Sequence, residues 1–324
     1  MPTTGTRTRR YRRRRRTGPS LVRHDEPPNH TNGSHLDGTP PAMTRQFLDG
    51  RRHRGPATLP AMPPHPLLDI DDTPVPLESY LSGIGEVFRR FAAPEQDSGC
   101  TSYGVRLPSG ERWFVKAPTA PEAYGTLDRA WRFHRAVRHP AIVPQLHRLG
   151  PAVVMPWRDG DLLHDPEHRA RFRRLPLPEI HRALDTLLDA HLAVESAGWQ
   201  PVDFYDGALL YDFPRATLHL IDLDEYRPSP FRLDTDRLPG SRRFMAPEEW
   251  RRGARIDSRT TVHVLGRAVR LLLDAGDDER GWRGTADQYA VVERATRERP
   301  GERFAGVREL ADAWRETLVE GEYD

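Results

Sequence analysis

Residues 198–224, GWQPVDFYDGALLYDFPRATLHLIDLD, decide how this chain is read. Apolar residues at helical spacing (Ile180, Leu184, Leu187, Leu188, Leu192) run up to Gly198, which suits a helix C-cap. A loop then carries Asp203 into the short apolar run 208–211, which suits a buried strand. Residues 212–215 make a turn, because Pro214 fixes φ and Asp212 can bond its own backbone. The return strand 217–221 delivers Asp222, Leu223 and Asp224. Asp203 and Asp222 therefore leave the open end of one hairpin. Two carboxylates there can share a metal ion or serve a nucleophile, or they can simply cap two turns.

Working outward, 324 residues leave room for one large or two ordinary domains. Mean hydropathy is −0.72, and no apolar run approaches the roughly 18 residues of a membrane span. The arginine-rich start lacks the apolar core of a signal peptide. One cysteine, Cys100, excludes an internal disulfide, and no Cys/His array suits a structural zinc. The expectation is a cytoplasmic protein. Residues 1–60 hold 13 arginines against four acids, so a net charge of +2 hides a basic tail and an acidic remainder. Residues 1–76 read as a disordered Arg/Pro-rich tail. An arm for nucleic acid or an anionic surface is the alternative, though without interleaved aromatics for base stacking. A true start at Met43 or Met62 is a third reading.

One bias is more informative. Of 49 basic residues only Lys116 is a lysine, and asparagine is confined to Asn29 and Asn32. A chain that has moved nearly every cation to arginine keeps a lysine where a compact point charge is required.

In chain order, apolar residues at helical spacing (Leu81, Ile84, Val87, Phe88, Phe91) predict a leading helix. Residues 103–107 and 112–116 read as a hairpin, with Lys116 ending its second strand. A helix over 121–137 and a buried strand over 152–155 follow, then a Pro-Gly hinge over 156–160. Helices are expected over 166–174, 178–197, 259–275, 286–296 and 304–319.

Residues 240–248, GSRRFMAPE, resemble the G-[TS]-x-x-[YF]-M-A-P-E segment of protein kinases. Residues 262–266 resemble the buried helix that follows it there, and 299–303 the P-x-x-R before the last helix. On this resemblance, over about 84–318, the chain is identified as similar to bacterial eukaryotic-type serine/threonine protein kinases. The resemblance implies an α+β, bilobal fold behind the tail: a small antiparallel-sheet N-lobe with a leading helix over 77–155 and a larger, mostly helical C-lobe over 156–324. It further implies ATP with Mg²⁺ or Mn²⁺ as cofactors and an unidentified protein substrate. Lys116 would contact the phosphates of ATP, and Asp203 would accept the substrate hydroxyl's proton. Asp222 would hold the metal. Gly99, Thr101 and Gly104 fall on the phosphate loop, and Met155, Pro156, Trp157 and Arg158 on the gatekeeper and hinge positions. Glu248 and Arg303 match a buried bracing pair.

The departures are specific. Asp224 replaces the glycine of DFG, and Pro201-Val202 replaces the His-Arg before the catalytic aspartate. Ala208 replaces the metal-binding asparagine, for which Asp206 or Asp224 would substitute. Ala130 stands where the helix carboxylate that pairs with the lysine belongs, so Glu122 or Asp128 could serve only in another register. The alternatives are a pseudokinase scaffold and a small-molecule kinase.

Overall fold

Strand parity builds the first half of the chain. In residues 112–118, Trp113 and Val115 point into one apolar cluster while Phe114 and Lys116 point to the opposite face. The computed structural model describes residues 64–93 and 98–319, which belong to one compact unit, residues 61–324. The architecture is α+β, with seven α-helices and small antiparallel sheets among the described residues.

The main sheet holds β1 (Glu86–Phe91), β2 (Cys100–Arg106), β3 (Arg112–Pro118), β4 (His147–Leu149) and β5 (Ala152–Pro156). All pairings are antiparallel in the order β1-β2-β3-β5-β4. One face buries Tyr103, Val105, Val115 and Val154 against Leu67 and Leu81. Helix α2 (Pro121–Ala136) packs Ala123 and Leu127 on Cys100 and Val153 at the other face. The hairpin and α2 lie where the sequence reading puts them.

Two expectations need correction. The leading helix α1 is Leu77–Ile84, and residues 86–91 are strand β1, not helix. Gly85 ends the helix in an extended conformation and lies so close to the Arg106 carbonyl that a Cβ would clash with it. Val87, Phe88 and Phe91 suit a pleated surface at least as well as a helix, and β2 offers the pairing. The ordered chain also begins earlier than residue 77. Leu67 is fully buried, Tyr80 Oη donates to the Pro66 carbonyl at 2.7 Å, and the Gly150 N–H donates to Asp71 O at 2.6 Å. The remaining tail, residues 1–63, lies outside the described residues.

The second half is mostly helical. Its elements are β6 (Asp161–Leu162), α3 (Pro166–Arg173), α4 (Leu177–Ser196), β7 (Trp199–Gln200), β8 (Leu209–Asp212), β9 (Thr217–Leu220), α5 (Ser258–Leu273), α6 (Ala286–Ala295) and α7 (Val307–Val319). The hairpin of β8 and β9 forms as the sequence predicts, with β6 on its outer edge. Its closed-in side joins α4, α5 and α7 in one large core that includes Leu187, Leu220, Leu265 and Trp314. Leu220 also bonds the segment after α2: its N–H donates to Ala141 O at 2.7 Å and its carbonyl accepts from Val143 at 3.0 Å.

Beneath this core Arg303 makes a bidentate bridge to Glu248 at 2.7 and 3.0 Å, and Thr260 Oγ1 donates to Glu248 at 2.7 Å. Burial would raise the Glu248 pKa, but the Arg303 and Thr260 bonds outweigh it and hold the carboxyl below its usual range. Removing one partner strands a buried charge, at about 3–5 kcal/mol. Arg303→Ala is therefore expected to lower the urea-unfolding free energy by about that amount. A loss within 1 kcal/mol would mean that the pair braces nothing.

Candidate active site

The hairpin places both flagged aspartates at its open end, and both carry left-handed backbone, Asp203 at φ 61° and Asp222 at φ 56°. Aspartate tolerates that region at a cost of about 1 kcal/mol, and such strain persists where surrounding structure demands it. Across from them, β3 supplies Lys116 from the face that carries Phe114. Its Nζ reaches Asp222 Oδ1 at 2.7 Å and Asp224 Oδ2 at 2.6 Å. Lys116 is only 4% exposed. Burial alone would lower its pKa, yet Asp222 and then Asp224 outweigh that and hold it far above the usual lysine range. The lysine charge in turn pulls Asp222 below the ordinary carboxylate range. Asp224 is largely buried, and this burial pushes its pKa up despite Lys116.

Asp203 is pushed up to about 6 by burial, then by the charges of Asp222 and Glu225. It lines a crevice too narrow for water with Gly240, Met245 and Glu249. Glu249 is a feature the sequence reading missed: burial pushes it up to about 8, and its Oε2 accepts from the Ala246 N–H at 2.6 Å. No sequence motif announces it.

Several expected roles change. Asp206 pairs with Arg169. Its Oδ2 accepts from Arg169 at 3.0 Å, and that guanidinium is clamped in turn by Asp277 at 2.8 and 2.9 Å. The carboxylate is thus engaged by α3, and a metal would have to compete with Arg169 for it. Helix α2 offers Lys116 no acid, since Ala130 is fully buried and Glu122 and Asp128 are exposed, the latter paired with Arg148. Instead α2 supplies Arg129, which bridges Glu225 at 2.8 Å, while Asp224 takes the second position on the lysine. The second carboxylate on Lys116 thus comes from the loop after β9 and not from α2.

The phosphate-loop assignment also shifts. Thr101 and Gly104 are not in a loop. They lie in β2 opposite Ala117 and Phe114. A Cβ on Gly104 would come within 2.8 Å of the Phe88 ring and 2.9 Å of the Trp157 ring, so this glycine makes room for aromatics. Gly99 alone stays at the strand entry, with φ 65° and its carbonyl accepting from Thr119 and Ala120. Residues 94–97 lie outside the described residues. Trp157 meets Phe88 edge-on at 4.8 Å and lies 6.1 Å from Phe114, so the recess over Gly104 in β2 is filled by rings. Met155 packs toward Cys100 and Leu127, Pro156 pairs with Trp113 at the end of β5, and Arg158 is exposed.

Among the described residues no three His, Cys, Asp or Glu side chains gather to cage a metal. Mg²⁺ commonly binds through one or two carboxylates together with phosphate oxygens and water. Asp222, whose side chain is half exposed, fits that requirement, and Asp224 is the second carboxylate at hand.

Lys116→Met is expected to cost stability in a pH-dependent way. Without the ammonium, buried Asp224 favours its protonated form more strongly, so its already raised folded pKa moves further above the unfolded value near 3.9. The folded state then binds the extra proton, and stability falls as pH rises through that folded pKa. Urea unfolding should show a larger loss relative to the unsubstituted chain at pH 8 than at pH 5. Equal losses would mean that Asp224 is not held by Lys116. A scan against protein-family models found no match to this chain, and a search of curated proteins found none.

Proposed function

We propose that this chain is an ATP-dependent phosphotransferase of the eukaryotic-type serine/threonine protein-kinase class, with the strand-rich residues 77–155 and helical residues 156–324 as its two lobes. It would transfer the γ-phosphate of ATP to a hydroxyl of a protein substrate. The observation that carries this reading is the convergence of the chain's single lysine on Asp222 and Asp224, at the open end of the hairpin that also carries Asp203 in left-handed backbone. Lys116, held between two carboxylates at the end of β3, is the cation that phosphate oxygens would meet once its contact with half-exposed Asp222 opens. Asp203 accepts the hydroxyl proton as the phosphorus–oxygen bond to the β-phosphate breaks and ADP leaves. Asp222, with Asp224, would hold the divalent cation, whose contribution is to neutralise charge on the phosphates.

A second reading, a scaffold that binds nucleotide weakly or not at all, is favoured by the rings of Phe88, Phe114 and Trp157 over Gly104. A purine could enter that recess only by displacing Trp157.

The discriminating measurement is a thermal shift with ATP and Mg²⁺ or Mn²⁺ on the unsubstituted chain, Lys116→Met and Trp157→Ala. The phosphotransferase reading expects a metal-dependent rise in Tm that Lys116→Met loses. No rise at millimolar ATP in any of the three leaves the scaffold reading. A rise only in Trp157→Ala shows that the ring occupies the base site. Where transfer is measurable, its rate should climb as pH passes through about 6, because Asp203 acts as a base only when deprotonated. A rate flat from pH 5 to 8 would remove Asp203 from the proton transfer.

A further inference from the structure

The segment that approaches Asp203 also builds a basic surface. Gly240 lies against the Asp203 backbone, since a Cβ there would sit 3.7 Å from the Asp203 Cα. On either side of that contact Arg237 and Arg242 extend outward, and both guanidiniums lie over the Trp250 ring, at 5.2 and 5.3 Å from its centroid. The Leu238 N–H donates to the Glu249 carbonyl at 2.9 Å, which ties the two stretches together. Trp250 is 36% exposed, and Arg251 and Arg252 follow it, both exposed. Among the described residues none of these four arginines has a carboxylate within ion-pair distance, whereas Arg243, one residue beyond Arg242, is bound to Glu279 and Asp277.

We propose that this surface receives an acidic stretch of the polypeptide whose hydroxyl is presented to Asp203. The inference rests on the phosphotransferase reading and adds the substrate class to it. Four guanidiniums without counter-ions match carboxylates in geometry, each able to form a two-point bond. The aromatic ring holds two of them in place and reduces the entropy lost on binding. A polypeptide is favoured over nucleic acid because two guanidiniums lie over the Trp250 ring, so a base could stack there only by displacing them.

The test uses the full chain and a fluorescein-labelled twelve-residue peptide of Asp and Glu around one serine, with its Asn/Gln counterpart as control. Binding is followed by anisotropy without ATP. Arg237→Glu with Arg242→Glu should weaken the acidic peptide at least about tenfold and leave the neutral one unchanged. Arg237→Gln with Arg242→Gln, a milder pair, should weaken it less and guards against misfolding. Reversing Arg12, Arg13 and Arg14 to Glu controls for the basic tail and should change affinity less than twofold. Loss on tail reversal but not on patch reversal overturns the proposal. So does a twelve-nucleotide single-stranded DNA that binds tighter than the peptide and is lost with the patch. Phosphate transfer to both peptides is measured alongside. Transfer with no preference for the acidic one overturns this inference, whereas acidic-peptide binding without any transfer overturns the phosphotransferase reading and keeps the surface.

Discussion

One buried ammonium ties the sheet to the loop that follows the hairpin. The parity of β3 sends Trp113 and Val115 into the apolar cluster, and therefore turns Lys116 to the other face, where it is almost sealed from water. A charge there is tolerable only if paired. The chain meets that demand by bringing Asp222 and Asp224 to within 2.7 Å, and the left-handed backbone at Asp222 is part of what the approach costs. The β9 strand that leads into this loop is held in place by Ala141 and Val143 after α2 and by the core shared with α4 and α5. Lys116 thus couples the packing of the strand-rich part to that of the helical part.

The same pair explains how α2 is engaged. In the resemblance, a helix carboxylate and the lysine form the link; here the helix offers a cation instead, Arg129, and the acid Glu225 lies on the loop. Thr126 donates to Glu225 as well, at 3.4 Å. Three consecutive acidic or apolar steps after Asp222 therefore serve three partners: Leu223 the core, Asp224 the lysine and Glu225 the helix. Charge balance is kept although the signs on the two elements are exchanged.

How much of this was legible depended on whether the cause was local. The β8–β9 hairpin, the positions of Asp203 and Asp222 and the importance of Lys116 followed from turn residues, an apolar run and a biased composition. All of these act within a few residues or over the whole chain. Residues 86–91 were misread because Val87, Phe88 and Phe91 fit both a helix and a strand, and only the partner strand β2 decides between them. Gly104 looked like a residue for phosphates because its two aromatic neighbours come from Phe88 and from Trp157, 53 positions later. Asp206 looked like a ligand because Arg169, its partner, precedes it by 37 residues, on α3. Residues 64–76 looked like tail because Leu67 and Ile70 are isolated apolar positions among prolines, with no period to reveal the surface they cover.

The arginine bias has a consequence for the chemistry the folded chain can undergo. Its one side-chain amine is the buried Nζ of Lys116, enclosed by two carboxylates. Acylation, carbamylation and enzymatic tagging at lysine all need a free, accessible amine, and the forty-eight arginines do not supply one. Amine-directed modification of side chains is therefore confined to a single atom, and that atom becomes reactive only when the Lys116–Asp222–Asp224 contact opens.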